Sequence, residues 1–327
     1  MNNWLRENLV CPRDKKELQL ENNRLICPEN HIYPVVDDVP VMLLEETEPN
    51  HHYITETLEG VAGDQFSGEM KIGAAMPDGE AVDAFVQDEV PHTCGNLYFP
   101  IRYKLNRYPI PELRLPPGDG ARFLDVGCNW GRWTVAAALK GYQPVGIDPC
   151  LKAVNAARKV SRQMNAATDF VVADTRSLPF ADGCFDVAFS YLVLQSFSKE
   201  NACISLREIA RAVKTGGKIL IQMPNKYGAR SFYQQARRGF SEGDNFDIRY
   251  WSPTELKKAF TENFGKTEMS ADCFFGLGLQ KNDLDLLPPR FKAVIHSSEF
   301  LRRVSLKMSW LVNVADSIYM ESINRKN

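Results

Sequence analysis

Small and acidic residues follow three apolar segments in the middle of the chain, and their types suit the binding of a nucleoside. The first segment runs into Asp125-Val126-Gly127-Cys128-Asn129-Trp130-Gly131, whose small residues let the backbone approach a ligand and whose N–H groups can hold a carboxylate. Asp148, 23 residues after Asp125, can accept hydrogen bonds from both hydroxyls of a ribose. Asp174, followed by Thr175, can accept one from the exocyclic amine of adenine. The predicted ligand contacts are Asp125, Gly127, Cys128, Asn129, Gly131, Asp148, Pro149, Asp174, Thr175 and Ser190.

Strand and helix patterns alternate after Gly120 and place these residues at one edge of a sheet. The predicted strands are RFLDVG, PVGID, FVVAD, FDVAFSYLVL and KILIQMP, and the predicted helices are RWTVAAALKG, LKAVNAARKVSRQM and ISLREIARAV. Parallel neighbours need a crossover connection, so the fold class is α/β with a doubly wound parallel sheet. Ligands of such sheets bind beyond the carboxyl ends of the strands. The final ADSIYMESIN predicts an added antiparallel strand at the edge of the sheet.

Residues 120 to about 224 resemble the class I S-adenosylmethionine (SAM) dependent methyltransferases, particularly those of ubiquinone and menaquinone biosynthesis. The turn, Asp148, Asp174 and the later LPFADGCFDVAFS and RAVKTGGKILIQMPN carry this resemblance. It implies a Rossmann-like sheet, SAM as the cofactor and methyl transfer as the activity. Asn129 replaces the middle glycine of the family's G-x-G-x-G, and Asn tolerates a positive φ. An NAD site fits less well, because Arg132 stands where G-x-G-x-x-G requires its third glycine.

Residues that could receive or activate the methyl acceptor are less specific. The segment 225–251 after the last parallel strand carries five basic and seven aromatic residues, and predicts a cap that clamps an anionic or sugar-bearing acceptor. A solvated helix with a packed aromatic side explains the same pattern. A hydroxyl acceptor also needs a base. The candidates are His92 and Tyr98, in the segment that lies over the SAM methionine in this family, and Tyr191, which follows the fourth strand.

Residues 1–44 predict a small β-rich domain with two Cys-Pro turns. Cys11, Asp14, Cys27 and His31 have the types and spacing of a tetrahedral zinc site in which Asp14 replaces a more usual cysteine. The segment resembles the small zinc domain of the activator subunit of tRNA methyltransferases, its short bacterial relatives, and the zinc domain of rRNA guanine methyltransferases. The alternative is a metal-free domain in which Cys11 and Cys27 only pack.

Composition limits the remaining possibilities. Residues 45–89 contain twelve acidic residues and one basic residue, and predict a poorly packed or peripheral linker between the small domain and a methyltransferase domain at 90–327. The net charge of −2 among 327 residues gives no overall attraction to nucleic acid. The eight cysteines are scattered, and no run of about 20 apolar residues is present, so we expect reduced thiols, no transmembrane segment and a cytoplasmic location.

Three functions are consistent with these features. The leading hypothesis is an O-methyltransferase that acts on a small molecule or a glycan. The second is an RNA base methyltransferase, which the resemblance of residues 1–44 favours and the acidic linker opposes. The third is a SAM-binding scaffold or activator without catalysis.

Overall fold

A small antiparallel sheet forms the N-terminal part of the protein. The structure is a computed structural model that describes residues 1–46, 52–62, 81–243 and 247–325. A short helix, α1 (Asn3–Asn8), precedes four strands, which pair in sequence order. These strands are β1 (Gln19–Glu21), β2 (Arg24–Ile26), β3 (Ile32–Val36) and β4 (Val39–Pro40). The predicted β-rich character of this region is confirmed.

A seven-stranded sheet forms the centre of the molecule, as the alternating pattern predicts. Its order is β10-β11-β9-β8-β5-β6-β7, and the five strands from β9 to β7 form four parallel pairs. The strands are β5 (Arg122–Val126), β6 (Gln143–Asp148), β7 (Asp169–Val172), β8 (Phe185–Ser190), β9 (Val213–Pro224), β10 (Thr267–Cys273) and β11 (Ser317–Ile323). Most residues of β5 to β8 are buried because helices cover both faces.

The helices that join these strands bury one apolar side each. In α5, the buried Leu151, Val154 and Val160 recur at helical spacing, and charged residues occupy the other side. The helices that follow α1 are α2 (His52–Ala62), α3 (Ala84–Cys94), α4 (Arg132–Leu139), α5 (Leu151–Gln163), α6 (Lys199–Ala212), α7 (Ala229–Arg237), α8 (Pro253–Phe264) and α9 (Pro289–Ser305). No helix among the described residues is long and apolar enough to cross a membrane.

The last strand lies inside the sheet, so the prediction of an edge position was wrong. β11 is antiparallel to β9 on one side and to β10 on the other. Its residues Ile318, Tyr319 and Met320 are all buried, which is typical of a strand covered on both faces. The edge strand on this side of the sheet is β10. Its short and polar sequence TEMSADC gives no strong strand pattern, so β10 was not predicted.

The acidic segment 45–89 is not a poorly packed linker where the structure describes it. It contains α2 and the first part of α3, and Ile54, Val86 and Thr57 are buried in them. The acidic Glu56 and Glu59 of α2 are exposed, so acidic residues there are compatible with a packed helix. Residues 47–51 and 63–80 of the predicted linker lie outside the described residues.

Candidate functional site

The turn between β5 and α4 needs backbone angles that favour glycine. Gly127 and Gly131 have φ of +74° and +80°, and a Cβ on Gly127 would lie 2.3 Å from Cγ2 of Val193. Asn129 adopts a φ of +44°, which confirms that Asn can replace the middle glycine here. The N–H groups of Gly127 and Cys128 both donate to the carbonyl of Ile147, at 2.9 and 2.8 Å.

The remaining N–H groups of the turn also have partners within the chain. The N–H of Asn129 donates to Oδ2 of Asp148 at 2.9 Å, and that of Trp130 donates to Oδ1 of Asn129. The N–H of Gly131 donates to the carbonyl of Cys128. The expectation that free N–H groups at positions 127–131 hold a carboxylate was therefore wrong, because the turn uses them for its own geometry.

Asp148 ends β6 with its carboxylate beside the turn. One oxygen accepts from Asn129, and the other accepts from the N–H of Cys150 at 3.0 Å. Burial raises the pKa of Asp148 to about 6, although these two backbone donors act in the opposite direction. Asp148 and Pro149 both line the cavity described below.

Asp174 and Thr175 follow β7, and both line the same cavity. The guanidinium of Arg176 donates to both carboxylate oxygens of Asp174, with a shortest distance of 2.6 Å. The hydroxyl Oγ1 of Thr175 is buried and has no hydrogen-bond partner among the described residues. An adenine amine would therefore share Asp174 with Arg176.

Two predicted contacts lie behind the cavity. Asp125 accepts a hydrogen bond from Oγ1 of Thr134 at 2.6 Å, and burial raises the pKa of Asp125 to about 7. Ser190 donates through Oγ to the carbonyl of Val126 at 3.0 Å. Neither side chain lines the cavity. Asp125 joins the sheet to α4, and Ser190 joins two neighbouring strands.

A cavity of about 330 Å³ lies at the carboxyl ends of β5, β6 and β7. Its floor comes from the turn and the residues after these strands, including Cys128 and Asn129. α2 and α3 supply a second wall, with Tyr53 and Ile54 from α2 and Glu89 from α3. The sequence placed the segment of His92 near the ligand but did not predict the contribution of α2. The acidic composition around α2 hid the amphipathic pattern that signals this wall.

Two of the three candidate bases line the cavity. His92 is on α3, one helical turn after Glu89, and lines the cavity. The centroid of its ring lies 5.8 Å from that of Phe99. Tyr191 also lines the cavity, and its hydroxyl donates to Oδ2 of Asp272 at 2.6 Å. Burial and the nearby Asp272 raise the pKa of Tyr191 well above its ordinary value. The hydroxyl of the third candidate, Tyr98, is buried away from the cavity and donates to Asp283.

Arg132 lines the cavity as a buried cation. Its Nη1 donates to the carbonyl of Thr93 at 3.0 Å, while Nε and Nη2 have no hydrogen-bond partner among the described residues. The nearest carboxylate oxygen, on Asp283, lies 3.8 Å from Nη2. Buried guanidinium groups need hydrogen-bond partners, so these N–H groups suit an anionic ligand group. An Arg at this position gives no sequence signal, because arginines in first helical turns are usually exposed.

The predicted cap at 225–251 does not carry its aromatic side into the cavity. The side chains of Tyr227, Phe232, Tyr233 and Phe240 are more than half exposed, and none lines the cavity. Phe246 lies outside the described residues. The segment contacts the cavity wall through Arg249. Its Nη1 donates at 2.7 Å to the carbonyl of Ser196, which lines the cavity.

The predicted metal ligands meet at one place in the small domain. Nδ1 of His31 lies 3.2 Å from Sγ of Cys27, 3.4 Å from Sγ of Cys11 and 3.3 Å from Oδ2 of Asp14. Sγ of Cys27 lies 3.7 Å from Oδ2 of Asp14, and all four ligand atoms fall within 4.8 Å of one another. Zinc bonds of about 2.0–2.3 Å give tetrahedral edges of roughly 3.3–3.8 Å, so these separations fit a zinc ion.

Comparison with known proteins agrees with this geometry. Residues 124–221 match the family model described as a methyltransferase domain. A malonyl-[acyl-carrier protein] O-methyltransferase of Erwinia pyrifoliae is 34% identical over 104 residues, which are 32% of this chain and 37% of that protein. A demethylmenaquinone methyltransferase of Corynebacterium kroppenstedtii is 34% identical over 108 residues, 33% of this chain and 44% of that protein.

A third relative adds a different type of acceptor. The tRNA (carboxymethyluridine(34)-5-O)-methyltransferase of Schizosaccharomyces pombe is 27% identical over 150 residues, 46% of this chain and 59% of that protein. The chain thus spans between about a third and three fifths of the lengths of these relatives. It contains a class I SAM-dependent methyltransferase domain, and the relatives do not fix the class of acceptor.

Proposed function

We propose that this protein transfers the methyl group of SAM to a hydroxyl oxygen of a small-molecule acceptor, sugars included. The observation that carries the proposal is the composition of one cavity. Asp148, Asp174 and the buried Arg132 face it from one side, and His92 faces it from α3. These are the groups that a charged nucleoside and a proton-releasing acceptor require.

Each part of SAM has a matching group in the cavity. Asp148 would accept hydrogen bonds from the ribose hydroxyls, and Thr175 with Asp174 would contact the adenine. The unpartnered Nε and Nη2 of Arg132 would hold the methionine carboxylate. When bound, SAM supplies an electrophilic methyl group for in-line displacement by the acceptor.

His92 would take the proton of the acceptor hydroxyl. A ring nitrogen of a neutral imidazole can accept a proton, as a general base must. Glu89 lies one turn away on the same helix and lines the cavity, so it would stabilise the imidazolium that forms. Tyr191 suits this role poorly, since its hydroxyl already donates to Asp272 and its pKa is raised. We assign Tyr191 to the wall that faces the acceptor.

Incubation of the purified protein with methyl-labelled SAM and fractionated cell extract tests this proposal. Label should enter the small-molecule fraction. His92→Ala should lower kcat by about 10²-fold or more, the usual contribution of a general base, and leave the affinity for S-adenosylhomocysteine nearly unchanged. His296→Ala, an exposed histidine on α9, is the matched control and should behave as wild type.

Three outcomes would contradict the proposal. Label found in RNA alone would support the second hypothesis, an RNA methyltransferase. Cofactor binding without transfer to any fraction would support the scaffold. Full turnover in His92→Ala would reject His92 as the base.

We also propose that Cys11, Asp14, Cys27 and His31 bind a structural zinc ion. Two sulfur atoms, one nitrogen and one oxygen form the set, and four of their six separations, 3.2–3.7 Å, are close to the edges of a zinc tetrahedron. Zinc would join the two Cys-Pro turns of a domain too small to be stable through its own core. Asp14 would give a weaker site than a fourth sulfur donor.

Metal content and thermal unfolding test the zinc site independently of catalysis. Elemental analysis should find one zinc per chain, and a chelator should lower the melting temperature. Asp14→Cys should retain zinc against higher chelator concentrations than wild type, and Cys27→Ser should lose it. Cys203→Ser, at a partly exposed cysteine far from the cluster in sequence, is the control. Wild-type protein that folds with no zinc after expression in zinc-supplied medium would contradict the proposal.

A further inference from the structure

Ten of the large apolar side chains that the structure leaves exposed are concentrated in three neighbouring segments near the end of the chain. These segments are α7 with the residues around it, the loop after β10, and α9 with the 3-10 helix Ser309–Val314 that follows it. The exposed residues are Tyr227, Phe232, Tyr233, Phe240, Phe275, Phe300, Leu306, Met308, Trp310 and Val314. We call this set the α7–α9 face. Exposed apolar groups in such a concentration indicate an interaction surface.

The helix α7 has its polarity reversed relative to a normal surface helix. Its buried residues are Ser231 and Gln235. The Gln235 amide donates to the carbonyls of Lys226 and Ser231, so the inward side is held by polar contacts. Phe232 and Tyr233 point to solvent instead, although a surface helix normally buries its apolar side. The protein core gains nothing from these two aromatic side chains.

The helix α9 and the segment after it also leave large apolar side chains exposed. Ile295, Ser298 and Ser305 are buried in α9, while Phe300 is 66% exposed. Just beyond the helix, Leu306 and Trp310 are 71% and 58% exposed. Packing against the rest of the described chain leaves most of the surface of Phe300, Leu306 and Trp310 uncovered.

Hydrogen bonds join the three segments into one surface. Asp316 accepts from the N–H of Ser231 at 2.8 Å through one oxygen and from the N–H of Phe275 at 2.6 Å through the other. The N–H of Phe274 donates to Oγ of Ser298 at 2.9 Å, which ties the same loop to α9. The backbone segments that carry the α7–α9 face are therefore held beside one another by buried hydrogen bonds.

The charge of these segments is strongly positive. Residues 225–243 and 289–314 together contain nine lysines and arginines and two glutamates, whereas the whole chain carries a net charge of −2. One of the two glutamates, Glu299, is already paired with Arg302 and Arg303. Basic side chains around exposed Trp, Phe and Leu are typical of proteins that lie on an anionic membrane surface.

We propose that the α7–α9 face binds the surface of a membrane that contains anionic lipids. The arginines and lysines would contact the lipid headgroups, and Trp310, Phe300 and Leu306 would enter the boundary between headgroups and acyl chains. Single-stranded RNA would stack its bases on the aromatic rings of this face, but it would leave the aliphatic Leu306, Met308 and Val314 without a matching partner, whereas acyl chains would cover them. The inference goes beyond methyl transfer and does not depend on it.

Co-sedimentation of the full chain with lipid vesicles tests this inference. The protein should bind vesicles of phosphatidylcholine mixed with phosphatidylserine, bind phosphatidylcholine alone much more weakly, and dissociate as salt concentration rises. Lys307→Glu should weaken binding about fivefold or more, since one basic residue near such a surface contributes roughly that factor. Leu306→Ser and Trp310→Ser should weaken it too.

Matched controls distinguish binding through this surface from non-specific adsorption and from misfolding. Leu139→Ser and Arg24→Glu change an exposed leucine and an exposed arginine elsewhere, and both should bind as wild type does. Trp310 is the most exposed of the five tryptophans, so its fluorescence should shift to the blue on binding, and Trp310→Phe should abolish most of that shift. All variants should keep the wild-type melting temperature because the changed side chains are exposed.

Several results would overturn the proposal. One is wild-type protein that remains in the supernatant with anionic vesicles. Another is equal vesicle binding by wild type, Leu306→Ser and Lys307→Glu. A third is that these substitutions only dissociate a dimer, or only abolish binding to RNA, which would assign the face to a second copy or to nucleic acid.

Discussion

One carboxylate, that of Asp148, lies between the turn and the cavity. It accepts hydrogen bonds from Asn129 and Cys150, and it lines the cavity. Its identity and position could be predicted, because an acid at the end of a second parallel strand has few structural uses. Arg132 could not be predicted, since its burial depends on α3 and on Asp283, which are remote in sequence. Asn129 could be predicted from its tolerance of positive φ.

The affinity for S-adenosylhomocysteine should fall as pH decreases through about 6. Burial raises the pKa of Asp148 to that value, and a protonated Asp148 can no longer accept hydrogen bonds from both ribose hydroxyls. The dissociation constant should therefore rise roughly tenfold between pH 7 and pH 5 and stay nearly flat above pH 7. Asp148→Asn should bind weakly without this pH dependence, as calorimetry at several pH values would show. A wild-type affinity that is constant from pH 5 to pH 8 would reject this role.

Among the secondary-structure elements, α2 forms one wall of the cavity although it precedes the alternating strands and helices. Thr57 anchors it, because its Oγ1 donates to the carbonyl of Pro149 at 3.0 Å and accepts from the N–H of Leu151 at 3.2 Å. The parallel strands and their helices followed from periodicity alone. The position of α2 did not, since two hydrogen bonds across 92 and 94 residues determine it.

Thr57→Val should weaken S-adenosylhomocysteine binding several-fold with little loss of global stability. The substitution keeps the shape of the side chain but leaves the N–H of Leu151 without its partner, so α2 with Tyr53 and Ile54 should detach more often. Thr55→Val, at an exposed position on the same helix, is the matched control. Hydrogen exchange should show faster exchange in α2 only for Thr57→Val. Equal affinities of both variants would show that α2 does not close the site.

At the scale of the whole molecule, the small domain shares its core with the methyltransferase domain. The N–H of Met42 donates to the carbonyl of Val172 in β7 at 2.7 Å, and that of Val10 donates to the carbonyl of Pro179 at 3.0 Å. Leu5, Met42 and Phe180 belong to one buried cluster. The β-rich character of residues 1–44 was evident in the sequence. Their position beside β7 was not, because apolar residues on a short strand do not identify their partner.

Met42→Ala should destabilise the whole protein by about 2–5 kcal/mol while unfolding remains a single transition. Met42 is fully buried between the two domains, so the smaller side chain leaves a cavity in a shared core. Met308→Ala, at an exposed methionine, should change the free energy of unfolding by less than about 0.5 kcal/mol. Denaturant titration followed by circular dichroism measures both. Two separate transitions in wild type would contradict the shared core.

Calorimetric titration with S-adenosylhomocysteine at pH 7.5 tests the central claim, which is that the cavity at Asp148 binds the SAM nucleoside. We expect one site per chain in wild type and in the control Asp182→Ala, whose carboxylate is on the surface. Asp148→Ala should bind at least about 30-fold more weakly, because hydrogen bonds to a charged group contribute about 1.5–3 kcal/mol. No binding by wild type, or equal binding by wild type and Asp148→Ala, would contradict the claim.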